Sequence, residues 1–250
     1  MISEKEIAKQ FNGLWNDTLP LLTPQLVGLF NAVHSDDLTE FPGGKFKRIA
    51  IGANVEKHDL VAELSFQVAK LSVERGIPIH GIGLGTEDFK DAYRNSTAFL
   101  RKYASEDSGF LLNAEEISEA LTIASQYEGF FSHVSAKTIE FSPRISGAGY
   151  LGSCCADLSV DDTLYEIKTV SRNIAGKDIR QLILYLALQY STGKRRWLYA
   201  GFFNPRKCTH YRFSVDHLMY RTSGGRSTSE VFADIVDFLS NRGIEIDSIF

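Results

Sequence analysis

The spacing of hydrophobic and polar positions changes along the chain, and each change predicts a secondary-structure element. Apolar residues three and four apart indicate helices, whereas alternating or short continuous apolar runs between turn residues indicate strands. The helical pattern occurs at residues 3–14, 23–33, 59–75, 87–103, 112–131, 177–190 and 228–241. The strand pattern occurs at residues 48–52, 77–82, 136–141, 156–160, 164–170, 196–204 and 210–215. These patterns predict an α/β protein.

The polar segment from Ala104 to Gly109 is the best candidate for a domain boundary. Before it, the order strand, helix, strand predicts a smaller α/β accessory region over residues 1–105. After it, residues 106–250 read as one helix, three strands, a helix, two strands and a final helix. We therefore expect the main sheet to belong to the second region.

The strands predicted at 156–160 and 164–170 are separated by Asp161, Asp162 and Thr163, which are typical turn residues. This arrangement predicts a hairpin. Residues two apart in a strand share a face, so Glu166 and Lys168 point the same way. Asp157 lies on the partner strand, near enough in register to reach them.

Two carboxylates and an ammonium at one place on a hairpin can bind a divalent metal and a phosphate. Hard cations such as Mg²⁺ prefer oxygen ligands and keep much of their water. A bound metal polarises a phosphate and lowers the pKa of a bound water. Lys168 would hold or deprotonate that water, or stabilise the charge that develops on the phosphorus centre. The alternative is that Glu166 and Lys168 form an exposed ion pair, which would stabilise the fold by about 0–1 kcal/mol. Asp157 would then be an ordinary acid near a turn.

Asp157, Glu166-Ile167-Lys168 and Gln181-x-x-x-Tyr185 occur in the order found in one nuclease superfamily. The chain resembles PD-(D/E)xK nucleases of the RecB-like branch, although Ala156 stands where the superfamily motif has proline. The resemblance implies a restriction-endonuclease-like core, which is a mixed central sheet flanked by helices. It also implies that Asp157, Glu166 and the Ile167 carbonyl bind Mg²⁺ or Mn²⁺. In the same way, it implies that Lys168 activates water and that Gln181 and Tyr185 orient the site.

Nucleases of this kind often use one more carboxylate from the first helix of the core. The helix predicted at 112–131 carries four glutamates, and the following strand carries one more: Glu115, Glu116, Glu119, Glu128 and Glu140. Glu119 and Glu128 are the leading candidates, with Glu140 next. For each one singly, a solvated helix face or an exposed strand position is the simpler interpretation.

Charge is unevenly distributed along the chain. The 250 residues carry a formal net charge of −4, yet residues 168–212 contain ten basic residues and only one acid, Asp178. A basic segment on an acidic body is expected of a protein that binds a phosphate backbone. Arg172, Lys177, Arg180 and Arg206 are the predicted nucleic-acid contacts, with a scattered, solvated set of charges as the alternative.

The expected function is metal-dependent hydrolysis of DNA phosphodiesters, most simply by an endonuclease, in defence against foreign DNA or in repair. The acidic first region would regulate, dimerise or dock a helicase or ATPase. One alternative is an inactive nuclease-fold module that binds nucleic acid or a partner protein. Another is an enzyme that binds a nucleotide at Gly81-Ile-Gly-Leu-Gly85, although this segment lacks the full dinucleotide spacing.

The remaining features of the sequence bear on the cellular location of the protein. No apolar run approaches the ~20 residues that span a bilayer, and the polar first residues do not resemble a signal peptide. Three cysteines do not make a disulfide framework and are one short of a four-thiolate metal site. We therefore expect reduced cysteines, a cytoplasmic location and no membrane partner. The Ser146-Gly-Ala-Gly149 segment is either a plain turn or a place where backbone approaches a phosphate.

Overall fold

The computed structural model describes residues 3–41, 46–50, 57–102, 110–193 and 196–241. Within them the chain is α/β, with helices on both faces of one mixed sheet. The helices are α1 (Glu4–Gln10), α2 (Asn12–Thr18), α3 (Pro24–His34), α4 (His58–Arg75), α5 (Glu87–Arg101), α6 (Ala114–His133), α7 (Gly176–Ser191), α8 (Val215–Thr222) and α9 (Thr228–Asn241). The strands are β1 (Ser35–Asp37), β2 (Ile139–Phe141), β3 (Arg144–Ile145), β4 (Cys154–Cys155), β5 (Leu158–Val160), β6 (Thr163–Ile167), β7 (Tyr199–Asn204) and β8 (Thr209–Ser214).

The main sheet has the strand order β1-β8-β7-β6-β5-β2. Only β6 and β7 pair in parallel, and α7 makes the crossover between them that a parallel pair requires. The predicted hairpin is present as β5 and β6, with Leu158 opposite Tyr165. This register sets the residue before β5 beside Glu166, near the end of β6. Strands β3 and β4 form a separate two-stranded sheet.

The side chains of β6 alternate between two apolar layers. Leu164 packs with α1, α2, α3, α7, α8 and α9, and Tyr165 packs on the opposite face with α4, α5 and α6. Helix α7 is buried along most of its length, from Ile179 to Leu188, because it lies between the sheet and other helices. That burial accounts for the apolar residues from Leu182 to Leu188.

Elements from both sides of the predicted boundary share these layers. Trp15 and Phe30 lie in the layer with α7, and Leu64 lies in the layer with α6. Strand β1 extends the main sheet by pairing with β8. The boundary itself stays a prediction, because residues 103–109 lie outside the described residues.

Within the described residues, neither of the two strands predicted in the first hundred residues is present. The predicted strand at 77–82 contains a 3₁₀ turn, Ile79–Gly81, whose first amide donates to Glu128 Oε1 at 2.7 Å. Of the predicted strand at 48–52, residues 48–50 have no regular structure, and residues 51–52 lie outside the described residues. The helix predicted at 3–14 is divided at Phe11 into α1 and α2. The region is mostly helical because its apolar residues complete the main sheet's layers.

Most of the other predicted elements are confirmed within a few residues of their bounds. Four were not predicted: β1, which is a polar Ser-Asp-Asp segment, the two-residue strands β3 and β4, and α8, which follows directly after β8. None of them has a hydrophobic pattern long enough to indicate it. In the described part of the chain, every helix is too short or too polar to cross a membrane.

Candidate active site

The hairpin brings Asp157 and Glu166 together at one end of the main sheet. Asp157 directly precedes β5, and its Oδ2 accepts a hydrogen bond from the Ile167 backbone amide at 2.8 Å. This bond fixes the carboxylate against the last residue of β6. The predicted pair of acids is therefore adjacent in the structure, with the Ile167 backbone between them.

Lys168 follows β6 and turns back towards the same place. Its Nζ lies 2.9 Å from Glu166 Oε1 and 3.2 Å from Gln181 Oε1. The side chains of Glu166 and Lys168 are only 4% and 14% exposed. The alternative of a solvent-exposed ion pair is therefore wrong, and burial makes the pairing costly to break.

Gln181 and Tyr185 are one turn apart on α7, so they lie on the same face of the helix. Gln181 Nε2 donates to the Tyr185 hydroxyl at 3.0 Å, while Gln181 Oε1 faces Lys168. The amide nitrogen of Gln181 therefore contacts Tyr185 on the same helix, and its oxygen contacts Lys168. Hydrogen bonds link Glu166, Lys168, Gln181 and Tyr185 in one chain of contacts.

Burial and the neighbouring charge of Asp157 disfavour the ionisation of Glu166. Burial, followed by the nearby charge of Asp157, raises the pKa of Glu166 to about 7. Burial also raises the pKa of Asp157, against the opposing effect of Lys168. Burial works to lower the pKa of Lys168, but Glu166, Asp157 and Asp178 outweigh it, and its pKa is raised. Lys168 is accordingly an ammonium in the resting site.

The donor set suits a hard cation. Glu166 Oε2 is buried and has no hydrogen-bond partner among the described residues. A buried carboxylate oxygen without a donor is expensive, and a cation would satisfy it. The described residues contain no ready-made group of three or more His, Cys, Asp or Glu ligands. The side chains that could hold such a cation here are those of Asp157 and Glu166, and two carboxylates would leave its other positions to water and substrate.

Asp178 is the member of the site that the sequence analysis missed. It is buried in the first turn of α7, and its two carboxylate oxygens pair with the two terminal nitrogens of Arg172 at 2.5 and 2.9 Å. Its Oδ1 also lies 3.6 Å from Lys168 Nζ. Burial would raise the pKa of Asp178, but Arg172 and Lys168 outweigh it, and the pKa is lowered. The signal was its position as the only acid in the basic segment.

Two further charges reach the site from the first region. Glu63 on α4 adds to the effects that raise the pKa of Asp157, whereas Lys5 on α1 acts in the opposite direction. Burial raises the pKa of Glu63 itself, against a hydrogen bond from Gln67. No local motif marks Glu63, because only the packing of α4 brings it near β5.

The glutamates predicted upstream have other partners. Glu119 pairs with Arg206, Glu140 with Arg196, and Glu128 accepts the Ile79 amide. Glu116 caps the start of α6 and pairs with Lys57. Glu115 is exposed. Among the described residues, therefore, no hydrogen bond or ion pair joins any of these glutamates to Asp157 or Glu166.

The predicted nucleic-acid contacts fall into two groups. The Arg172 side chain is 42% exposed, and Lys177 is exposed at the start of α7. Arg180 is partly buried with its guanidinium over the Trp15 ring, and burial lowers its pKa. Arg206 is only 2% exposed and is held by Glu119 and the Ala50 carbonyl. A phosphate cannot reach Arg206, so its predicted role as a contact is not compatible with the structure.

The glycine segment near β3 has a packing role. A side chain at Gly149, whose φ is +54°, would lie 1.9 Å from the Leu239 carbonyl oxygen on α9. A side chain at Gly147 would lie 2.1 Å from the Leu151 carbonyl oxygen. Close approach of backbone to backbone accounts for both glycines, which favours the turn interpretation.

Comparison with known proteins identifies no relative: no protein-family model, curated protein or solved structure matches this chain.

Proposed function

We propose that this protein is a metal-dependent nuclease that hydrolyses phosphodiester bonds in DNA. The observation that carries the proposal is the convergence of Asp157, Glu166, Lys168, Gln181 and Tyr185, which span 29 positions in the sequence. Two acids, one cation and an orienting amide in a buried, strained electrostatic setting are typical of a catalytic site.

The fold supports a restriction-endonuclease-like core. Helix α6, the meander β2, β5 and β6, the crossover helix α7 and the pair β7 and β8 follow one another in the order that the sequence resemblance implies. The acids lie on the central hairpin, and the Gln-Tyr pair lies on the crossover helix. A fold of this kind does not fix an activity by itself, so the argument rests on the site.

Asp157 and Glu166 are the proposed metal ligands, together with the Ile167 carbonyl. Bound Mg²⁺ or Mn²⁺ supplies Lewis-acid chemistry at the phosphate and a more acidic water. The unpartnered Glu166 Oε2 and the charge of Asp157, which raises the pKa of Glu166, support cation binding at this point. A bound cation would favour the ionised form of both carboxylates, whose pKa values are raised in its absence.

The chain's other residues have separate tasks. Lys168 holds the attacking water and stabilises negative charge that builds on the phosphate. Gln181 holds Lys168, and Tyr185 holds Gln181, so α7 sets the direction of the ammonium. Arg172 and Lys177 are exposed next to the site and are the proposed contacts to the DNA backbone.

The test is a cleavage assay on linear and circular DNA with Mg²⁺, with Mn²⁺ and with EDTA. We expect cutting only with metal, and circular DNA separates endonuclease from exonuclease activity. Lys168→Ala should be inactive, whereas Lys137→Ala, at an exposed lysine before β2, should cut like wild type. Absence of cutting by the wild type in both metals, or equal cutting by both variants, would contradict the proposal.

The depth of the site favours one second candidate, a nuclease-fold module that binds nucleic acid or a partner protein without cutting. Glu166 and Lys168 are almost fully covered and neutralise each other. A module of this kind would bind DNA equally well with Mg²⁺ and with EDTA. Metal-independent binding without cleavage in the same assays would select it.

A further inference from the structure

This inference rests on the proposed function and concerns how the protein holds Lys168. An ammonium has three N–H donors and needs three acceptors when it is buried. Around Lys168 Nζ the structure supplies two, Glu166 Oε1 at 2.9 Å and Gln181 Oε1 at 3.2 Å, and a third oxygen, Asp178 Oδ1, lies at ion-pair distance, 3.6 Å. The first two belong to the recognised motif. Asp178 does not, and it has no part in the function as proposed above.

Asp178 joins two cations that have different exposure. Its side chain is 3% exposed, and it is bound bidentately by Arg172, which is itself well exposed. A bidentate carboxylate–guanidinium pair fixes both partners in one geometry. The remaining donors of Arg172 face the loop, where one already bonds the Asn173 carbonyl at 2.9 Å. One buried carboxylate therefore connects an exposed candidate phosphate contact to the buried ammonium.

We propose that Asp178 is a positioning residue that keeps Lys168 in the site while Glu166 binds metal. A cation held by the unpartnered Glu166 Oε2 would draw charge from the carboxylate and weaken the ion pair that Oε1 makes with Lys168, so the ammonium would depend more on Gln181 and Asp178. Without Asp178, Lys168 would keep only a neutral partner. Asp178 contacts both Arg172 and Lys168. The binding of a DNA phosphate by Arg172 and the position of Lys168 are therefore linked through the Asp178 side chain.

A purely structural role for Asp178 makes different predictions. Its Oδ2 accepts the Ala175 amide at 2.8 Å, as part of the cap of α7. Loss of a helix cap lowers the stability of the fold but leaves kcat and KM of the folded protein unchanged. Asparagine retains one oxygen for this cap, removes the charge and replaces the second oxygen with an NH₂ group. Asp178→Asn therefore separates the positioning role from the capping role.

The first measurement is steady-state cleavage of DNA by Asp178→Asn and by Arg172→Gln, with thermal unfolding of each. Positioning predicts a fall in kcat of roughly thirtyfold or more in Asp178→Asn with KM within about threefold of wild type, because the loss concerns the reacting centre. Arg172→Gln should mainly raise KM. An Asp178→Asn protein with kcat within threefold of wild type would overturn the proposal.

The second measurement does not require nuclease activity. An ammonium that is largely covered, hydrogen-bonded to Glu166 and Gln181 and paired with Asp178 exchanges its protons slowly, so the Lys168 ¹⁵Nζ signal should be visible by NMR in the wild type and absent from Lys168→Arg. We expect it to be lost in Asp178→Asn and kept in Lys137→Ala. An unchanged signal in Asp178→Asn would overturn the positioning role whether or not DNA is cut. Loss of the signal in a protein that never cuts DNA would support the role and contradict the nuclease proposal.

Discussion

Lys168 and Arg206 are two buried cations from the same basic segment, and their surroundings differ. We call Asp157, Glu166, Lys168, Asp178, Gln181 and Tyr185 the Lys168 cluster, and Ala50, Glu119, Asn204 and Arg206 the Arg206 cluster. Arg206 has one acid, Glu119, one carbonyl, Ala50, and a backbone amide held by Asn204. Lys168 lies among three acids, of which one has an unpartnered oxygen and two have raised pKa values.

The difference separates a structural charge from a functional one. The Arg206 cluster has matched charges and joins α6 to the turn after β7, so it has little left to bind. In the Lys168 cluster Arg172 pairs with Asp178, which leaves Asp157 and Glu166 with one ammonium between them, and one oxygen of Glu166 has no partner, so an additional cation can bind there. Sequence position alone does not distinguish the two, because both cations follow an apolar strand and both lie in the basic segment.

Replacing each of the two cations in turn tests this difference most directly. Lys168→Ala and Glu166→Ala should lower the rate of DNA cleavage by roughly 10³-fold or more, as expected for loss of a proton-transferring or ligating group. The fold should survive Lys168→Ala, because Glu166 with a pKa near 7 takes up a proton at little cost. Circular dichroism and the cleavage assay check both statements. Retained cutting by either variant would contradict the assignment.

Arg206→Ala should do the reverse. Removing one partner of a buried ion pair leaves the other charge uncompensated and costs about 3–5 kcal/mol. Urea unfolding should show this loss of stability. The rate per folded molecule should stay near that of wild type, because Arg206 does not touch the Lys168 cluster. If Arg206→Ala were as stable as wild type, the Glu119 carboxylate would have to become hydrated at little cost once its partner is removed, which would contradict this prediction.

The pH dependence of stability gives a smaller effect of defined sign. The pKa of Glu166 is raised from 4.5 to about 7 in the folded protein. As the pH rises from about 4.5 to 7, the unfolded chain loses this proton before the folded protein does, so Glu166 destabilises the metal-free fold. The full shift corresponds to about 3 kcal/mol. Glu166→Gln should therefore gain stability relative to wild type on going from pH 4.5 to pH 8, measured by urea unfolding in EDTA.

An equal pH profile for wild type and Glu166→Gln would mean that Glu166 ionises normally. The comparison would then lose its electrostatic basis, although the contacts of Lys168 would be unaffected.

The smallest effect is expected at Lys177, which is exposed next to the Lys168 cluster and has no ion pair among the described residues. Lys177→Ala should weaken DNA binding a few-fold for every sequence and lower the slope of log K against log salt by about 1. Fluorescence anisotropy with a labelled duplex in Ca²⁺ or EDTA measures both quantities. An unchanged salt slope would remove Lys177 from the proposed contacts.

The residues of the candidate site were predictable because local patterns determine them. The alternation of β6 sets the direction of Glu166, and Lys168 directly follows the strand. The four-residue spacing on α7 sets Gln181 and Tyr185 on one face of the helix. The hairpin register brings Asp157 into reach. The partners that depend on long-range packing were not predictable: Glu63 comes from α4, and Asp178 gains its meaning only from Arg172 and Lys168.

The sequence by itself determined the α/β class, the hairpin, the crossover helix and the five residues of the predicted motif. Short-range periodicity and turn chemistry encode these features within a few residues of each other. Only the tertiary structure decided which charges are matched. It buried Arg206 against Glu119 and made helices α1 to α5 part of the apolar layers on both faces of the sheet. Burial and distance between remote segments set the energy of a charge, and neither is written in the local sequence.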